Sequence, residues 1–214
     1  MLAFPRAPSG FQAAAADLLG HARDHLALCG AALALALVIG VATGSWLAGA
    51  RRGREAALAA VNVGRVVPSL AVLAIMIPLV GVGFVPAVVA LALLAIPPIA
   101  INTDLGLRTV APQAVDAAAG MGMTRAQVRA RVIWPLALPV VFAGIRIATV
   151  EVIASATLAA FIGGGGLGEL IVNGLANDDV PGLLEGAVAV GILALCAEAL
   201  LSAGERRLRR GWAQ

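Results

Sequence analysis

Apolar and polar positions fall into long, separate blocks along this chain and do not alternate residue by residue. The longest charge-free runs cover 26–50 and 66–103, and each exceeds the roughly 20 residues that a helix needs to cross the hydrocarbon of a bilayer. Membrane β-strands would alternate apolar and polar positions, which these runs do not do. The pattern therefore predicts an all-α polytopic membrane protein, with five spans at about 26–48, 57–80, 84–103, 138–161 and 183–203.

The distribution of arginine predicts the orientation of these spans. Eleven of the fifteen basic residues follow the first, third or fifth span, whereas the connections 81–83 and 162–182 contain none. Because arginine is enriched in cytoplasmic connections, we expect the N-terminus outside and the C-terminus in the cytoplasm. The predicted parts are an extracytoplasmic lead-in (1–20), a transmembrane domain (21–204) with a cytoplasmic connection at 104–137, and a basic cytoplasmic tail (205–214).

Composition agrees with a membrane location and excludes several functions. Hydrophobic residues make up 61% of the chain and charged residues 13%, against about 25% charged in soluble domains. The N-terminal apolar run is longer than the core of a signal peptide, which predicts a retained anchor. The chain has no lysine, so it lacks the residue that a P-loop ATPase places on the phosphates. Its basic balance is not a nucleic-acid signal, and Cys29 and Cys196 are expected to pack as small hydrophobic groups.

A polar module interrupts the apolar sequence inside the connection 104–137. It reads "DAAAGMGMTRAQVRARVIWPLALP", beginning at Asp116. Pro112 suits the first turn of one helix and Gly120 its end, while Thr124 and Gln127 form a capping box that begins a second helix. We expect Pro135 to end that helix at the cytoplasmic surface and Pro139 to begin the fourth span.

Two functions fit this pair of short helices. Arg125 and Arg129 share one helical face and Val128 and Val132 another, as in an amphipathic helix that lies on lipid headgroups. Alternatively, the small residues around the "GMG" turn let another backbone approach closely, as a docking surface for a partner would require. Composition alone favours the lipid interpretation.

The module resembles the EAA loop of ABC importer permeases. That pattern is E-A-A, three residues, G, nine residues and I-x-L-P, and the chain keeps its spacing with Asp for Glu, Val for Ile and Trp for Leu. The matching positions are Asp116, Ala117, Ala118, Gly122, Val132, Trp134 and Pro135. The resemblance implies that this loop sits in a cleft of an ATPase subunit, with coupling residues Asp116, Ala117, Ala118, Gly120, Gly122, Arg125, Arg129 and Pro135.

Further stretches are similar to the subgroup of these permeases that imports glycine betaine, choline and carnitine: "VPSLAVLAIMIPLVGVG", "WPLALPVVFAGIRIAT" and "ATLAAFIGGGGLGELI". The resemblance implies a type I importer permease of the bacterial cytoplasmic (inner) membrane that is not an enzyme. Its partners would be two ABC ATPase subunits, a second permease chain, identical or paralogous, and an extracytoplasmic substrate-binding protein. It implies no cofactor in this chain, with ATP and Mg on the ATPase.

Glu151 is the acidic residue deepest in a predicted span. An ionisable group at such depth lines a pathway or pairs with a partner, and Arg65 or Arg146 are candidate partners whose long stems can also reach back to water. Both roles stay open for Glu151. A rival function is therefore an ATP-independent carrier or channel that uses Glu151, whereas no arrangement typical of an intramembrane enzyme lies within the spans.

The remaining polar groups have simpler interpretations. The glycines 163–166 formally match a nucleotide motif, but they follow a membrane helix and are expected to form an extracytoplasmic turn. His21 and His25 have a spacing compatible with a metal, yet an exposed helical lead-in without a metal is expected. Asn102 and Asp104 are expected to cap the end of the third span.

Overall fold

The computed structural model describes residues 10–50 and 52–211, with side chains for 15–50, 52–64 and 66–207. The parts of the predicted lead-in and tail at 1–9 and 212–214 lie outside the described residues. The helices are α1 (Gly10–Gly49), α2 (Arg54–Val66), α3 (Ser69–Val80), α4 (Phe84–Arg108), α5 (Pro112–Gly120), α6 (Arg125–Val128), α7 (Trp134–Ala156), α8 (Gly168–Ala176) and α9 (Val180–Gly211). A π-helical turn covers Arg129–Ile133 and a 3₁₀ helix Leu158–Ile162.

Helix α4 lies at the centre of the bundle, with α1 and α7 packed against it. Small residues at the crossings allow the backbones to approach, as is usual between membrane helices. A Cβ atom at Gly44 would lie 2.4 Å from the Ala100 carbonyl oxygen, and one at Gly144 would lie 2.8 Å from the Pro98 carbonyl oxygen. Helix α9 packs on α7 and α8 at the edge of the bundle.

The prediction of an all-α fold with about five spans is confirmed. Four described helices are long and apolar enough to cross a membrane, and α2 with α3 makes a fifth if the pair is one span bent by 90°. The bend replaces the straight second span expected at 57–80. It lies at Pro68, and the preceding Val67 is extended because proline disfavours a helical conformation in the residue before it.

The prediction that Pro135 ends a helix and Pro139 begins another is wrong. The chain is helical without a break from Arg125 to Ala156, through α6, the π-helical turn and α7. In the wide turn the Trp134 N–H donates to the Arg129 carbonyl, five residues back, which allows the helix to continue into a proline. Pro139 lies inside α7. We call the segment Arg125–Ala156 the long helix.

The interpretation of Asn102 and Asp104 as helix-end caps is also wrong, because α4 continues to Arg108. The Asn102 side chain instead donates to the Pro98 carbonyl at 2.8 Å. Asp104 is buried and forms an ion pair with Arg54. The two polar groups therefore lie within the helix, where internal partners satisfy them.

Candidate functional site

The predicted docking module forms a compact unit of two helices. Pro112 occupies the first turn of α5, as expected. The Thr124–Gln127 capping box is present: the Thr124 N–H donates to Gln127 Oε1 at 2.8 Å and the Gln127 N–H donates to Thr124 Oγ1 at 3.4 Å. Gly120 is the last residue of α5, and the left-handed position is Gly122, with φ of 80°. We call α5, α6 and the turn between them the docking surface.

Most of the predicted coupling residues are accessible to a partner. Ala118 is the exception, because it is 2% exposed and faces the interior of the module, where its carbonyl accepts from the Met123 N–H at 3.2 Å. Pro135 is half-buried. The exposed members of the set are Asp116, Ala117, Gly120, Gly122, Arg125 and Arg129.

The two faces of the second docking helix are arranged as the sequence predicts. Val128 is 6% exposed, while Arg125 and Arg129 are exposed. These two arginines line a cleft of about 270 Å³ with the end of α1, at Ala48 and Gly49. Positive side chains near the last turn of a helix interact favourably with its dipole. The docking surface thus faces the end of α1 across this cleft.

The long helix connects the docking surface to the far side of the bundle. Its 32 residues correspond to a length of about 48 Å at 1.5 Å per residue. Glu151 lies on this helix, about one and a half turns before its end, and is half-buried. One continuous helical element therefore joins α6 to the segment that holds Glu151.

Arg146 of α7 forms ion pairs with two glutamates of α9. Its Nη1 lies 2.7 Å from Glu205 Oε2 and its Nε lies 3.4 Å from Glu198 Oε1. The predicted alternatives for Arg146 were snorkelling or a pair with Glu151, and the acidic residues of α9 were missed. The Arg65 side chain, the other predicted partner of Glu151, lies outside the described residues.

The pair of Arg54 and Asp104 was missed by the sequence analysis. Arg54 follows the first predicted span and Asp104 follows the third, so no local pattern joins them. The only signal was an acidic residue at the end of an apolar run with several arginines nearby. Arg54, Glu55 and Arg108 line part of a cavity of about 640 Å³ at this end of the bundle.

The glycine turn, residues 163–166, packs against α1, α4 and the 3₁₀ helix. Gly163, Gly165 and Gly166 have positive φ, and the preceding 3₁₀ helix accepts the Gly83 N–H at the Ile162 carbonyl, 2.7 Å away. Gly166 lies directly on His25 of α1. The expected turn after the fourth span is thus present, and it is packed into the fold.

The interpretation of the two histidines as an exposed lead-in is wrong. Helix α1 begins at Gly10, well before the predicted span, and carries both histidines into the bundle. His25 is fully buried, and His21 is half-buried between Asp17 and Glu169 at 3.8 and 3.7 Å. Within the described residues, no group of three or more His, Cys, Asp or Glu side chains is arranged to hold a metal ion.

Comparison with known proteins places this geometry among transport proteins. Residues 36–210 match the model of the family described as binding-protein-dependent transport system inner membrane component. The chain is 41% identical over 192 residues to the choline transport system permease protein OpuBB of Bacillus subtilis, covering 90% of this chain and 88% of the relative. It is 41% identical over 198 residues to the carnitine transport permease protein OpuCB of Listeria monocytogenes, covering 92% and 91%.

A third relative and a solved structure extend the comparison. The osmoprotectant import permease protein OsmY of Salmonella typhimurium is 40% identical over 194 residues, covering 90% of this chain and 82% of the relative. A chain of the methionine ABC transporter MetNI, in an inward-facing conformation, superposes with a TM-score of 0.79 at 23% identity, over 89% of this chain and 95% of that chain. At this identity, the likeness to MetNI shows a common fold.

Proposed function

Since the chain belongs to the family of binding-protein-dependent transport system inner membrane components, we propose that it forms the translocation pathway for a small osmoprotectant such as glycine betaine, choline or carnitine. The chain is a multi-pass permease subunit of the bacterial inner membrane and not an enzyme. What we propose beyond the family is the class of molecule that the permease transports.

One observation carries the cargo class. The chain is 40–41% identical, over about nine-tenths of its length, to relatives named for transport of choline, of carnitine and of osmoprotectants. Choline and carnitine share a quaternary ammonium group. The chain is only 4% aromatic and has no tyrosine, whereas cages for quaternary ammonium are built from aromatic rings. Selection among such cations is therefore assigned to the extracytoplasmic binding protein.

The ATPase partner is assigned to the docking surface. Six of the eight coupling residues are exposed, five of them on the docking surface and Arg129 in the π-helical turn that follows it. Between Gly120 and Gly122 the Met121 side chain is 73% exposed and available to a partner. Two ABC ATPase subunits would supply ATP and Mg, and a second permease chain would complete the pathway. Binding of the ATPase requires the docking surface to be cytoplasmic, which is the side that the arginine distribution predicts for it.

Movement of cargo follows from the long helix. Closure of the ATPase displaces α6, and because no break separates α6 from α7, the displacement reaches the helix segment around Glu151. A change of state requires contacts that differ between the two states, and the cleft between Arg125, Arg129 and the end of α1 supplies a place for such contacts. Glu151, half-buried on this helix, is proposed to line the pathway, where a carboxylate attracts a cationic cargo.

The test of this function is reconstitution in proteoliposomes with an ABC ATPase and an extracytoplasmic binding protein as partners. We expect uptake of a labelled quaternary amine that requires ATP and both partners. Uptake by the permease alone, without ATP, would instead establish an ATP-independent carrier, and failure of every quaternary amine would remove the cargo class.

The docking assignment has a matched pair of neighbouring positions. Ala117 is exposed and Ala118 is buried, so a cysteine at Ala117 should crosslink to the ATPase whereas a cysteine at Ala118 should not. Equal crosslinking from both positions, or from neither, would contradict the docking surface.

Glu151 is tested by Glu151→Gln, with Glu185→Gln on the exposed side of α9 as the control. We expect the first change to lower uptake while the ATPase stays bound, and the second to leave uptake unchanged. Undiminished uptake by Glu151→Gln would remove this residue from the pathway.

A further inference from the structure

His25 occupies the meeting point of α1, the end of the long helix and the glycine turn. Its side chain is fully buried. The Nε2 atom lies 3.1 Å from the Ile153 carbonyl oxygen on α7. On its other side, a Cβ atom added at Gly166 would lie 2.9 Å from the His25 Cα and 3.0 Å from Nδ1. The imidazole is therefore enclosed by backbone from two other elements.

The Ile153 carbonyl needs this hydrogen bond because the α-helix ends there. In a continuing helix its donor would be the Thr157 N–H. That N–H instead donates to the Ala154 carbonyl, three residues back, at 3.4 Å, as the chain tightens towards the 3₁₀ helix. Ile153 is itself 3% exposed, and a buried carbonyl without a donor is costly. The His25 Nε2–H is the donor that the fold supplies from α1.

We propose that His25 is a positioning residue for transport: its Nε2–H fixes the far end of the long helix, so that displacement at the docking surface moves the segment around Glu151. This inference rests on the proposed permease function. Without the bond, the end of α7 is free to shift against α1 and the glycine turn, and part of the displacement from the ATPase is lost before it reaches the pathway.

Apolar packing alone predicts a different side chain at this place. Among the described residues, Nδ1 is the buried side-chain polar atom that has no hydrogen-bond partner. If packing were the only requirement, the imidazole would leave one of its two ring nitrogens unsatisfied with no compensating benefit. The bond from Nε2 to a carbonyl 128 positions along the chain supplies that benefit.

The test compares side chains that differ in their ability to donate. His25→Gln keeps an N–H at similar reach, His25→Met has nearly the same length without a donor, and His25→Phe keeps a flat ring without a donor. Each variant is reconstituted with the ATPase and binding protein, and cargo taken up per ATP hydrolysed is measured. Thr149→Val is the control, since it removes only the local bond from Oγ1 to the Ile145 carbonyl within α7.

We expect His25→Met and His25→Phe to assemble and hydrolyse ATP but to lose roughly tenfold in uptake per ATP, the scale of one buried hydrogen bond. His25→Gln and Thr149→Val should stay within about twofold of the wild type. An unchanged ratio in a donor-less variant, or an equal loss in His25→Gln, overturns the inference. So does failure of the donor-less variants to accumulate, because the bond would then serve folding.

Failure of the permease function itself gives a different result. In that case the wild-type complex shows no ATP-dependent uptake, before any variant is compared. A wild type that couples ATP to uptake, with variants that couple equally well, removes only the role of His25.

Discussion

Arg54 holds Asp104 through two parallel hydrogen bonds, from Nε to Oδ1 at 3.1 Å and from Nη2 to Oδ2. The pair joins the first residue of α2 to the last turns of α4. The two side chains are unequally buried: the Asp104 side chain is 4% exposed and the Arg54 side chain 28%. Loss of Arg54 therefore leaves a buried charge without its partner, whereas loss of Asp104 leaves a charge that is partly exposed to solvent.

We expect Arg54→Met to lower the unfolding temperature in detergent more than Asp104→Leu does. The first change leaves a buried carboxylate without its counter-charge, which is strongly destabilising. The second leaves an arginine that can turn its head towards water. Thermal unfolding of the purified variants measures the difference. The double variant, with both charges removed, should recover part of the loss, and a reversed order would contradict the assignment.

The two acidic partners of Arg146 should also differ in their contribution. Glu205 is 9% exposed and 2.7 Å away, whereas Glu198 is 42% exposed and 3.4 Å away. Glu205→Gln should lower the free energy of unfolding by about 2 kcal/mol, as expected for a buried charged hydrogen bond, and Glu198→Gln by less than about 1 kcal/mol. Equal effects would mean that burial does not decide the strength of these contacts.

A backbone effect is predicted in the docking surface. Gly122→Ala places a side chain at φ of 80°, which costs about 1–2 kcal/mol for an L-residue. Gly120 has an ordinary helical conformation, so Gly120→Ala introduces no backbone strain. At both positions the added Cβ would have no atom within 4 Å. We therefore expect faster proteolysis of the loop for Gly122→Ala only. Matching behaviour of the two variants would exclude the left-handed turn as the cause.

The crossing of α4 and α7 gives a packing prediction. A Cβ at Gly144 would lie 2.5 Å from the Asn102 Cβ, so Gly144→Ala should destabilise the protein by about 1–3 kcal/mol through overpacking. Gly191 lies in α9 with open space around it, and Gly191→Ala should be neutral or stabilising by up to about 1 kcal/mol. Unfolding in detergent compares them, and a tolerated Gly144→Ala would argue against this close crossing.

Local signals in the sequence were reliable where a few neighbouring residues decide the structure. The capping box at Thr124 and the first-turn Pro112 are present as predicted, because each depends on bonds within four residues. The five apolar runs likewise predicted the spans, since hydrocarbon demands length and apolarity from each helix separately.

Predictions that treated proline or polar residues as boundaries were less successful. Pro135 reads as a helix end, but the extra residue in the π-helical turn accommodates it. Asp104 reads as a cap, and His25 as part of an exposed lead-in, because their partners Arg54 and Ile153 lie 50 and 128 positions away. A local sequence pattern cannot predict contacts between residues so far apart in the chain. Whether a polar group is buried depends on the partner that tertiary packing brings to it.

The π-helical turn at 129–133 has a consequence for protein engineering. Such a turn amounts to an α-helix with one additional residue, and a single amino acid advances an α-helix by about 100° and 1.5 Å. Deleting one residue from this turn would restore an α-helical turn and nearly keep the phase of the arginine-bearing end, whereas a deletion elsewhere in the long helix would rotate that end by this angle, away from the cleft it now faces. Chimaeras that exchange ATPase specificity between permeases should therefore be joined before Thr124, in the turn. A junction there does not change the rotation of residues along the long helix.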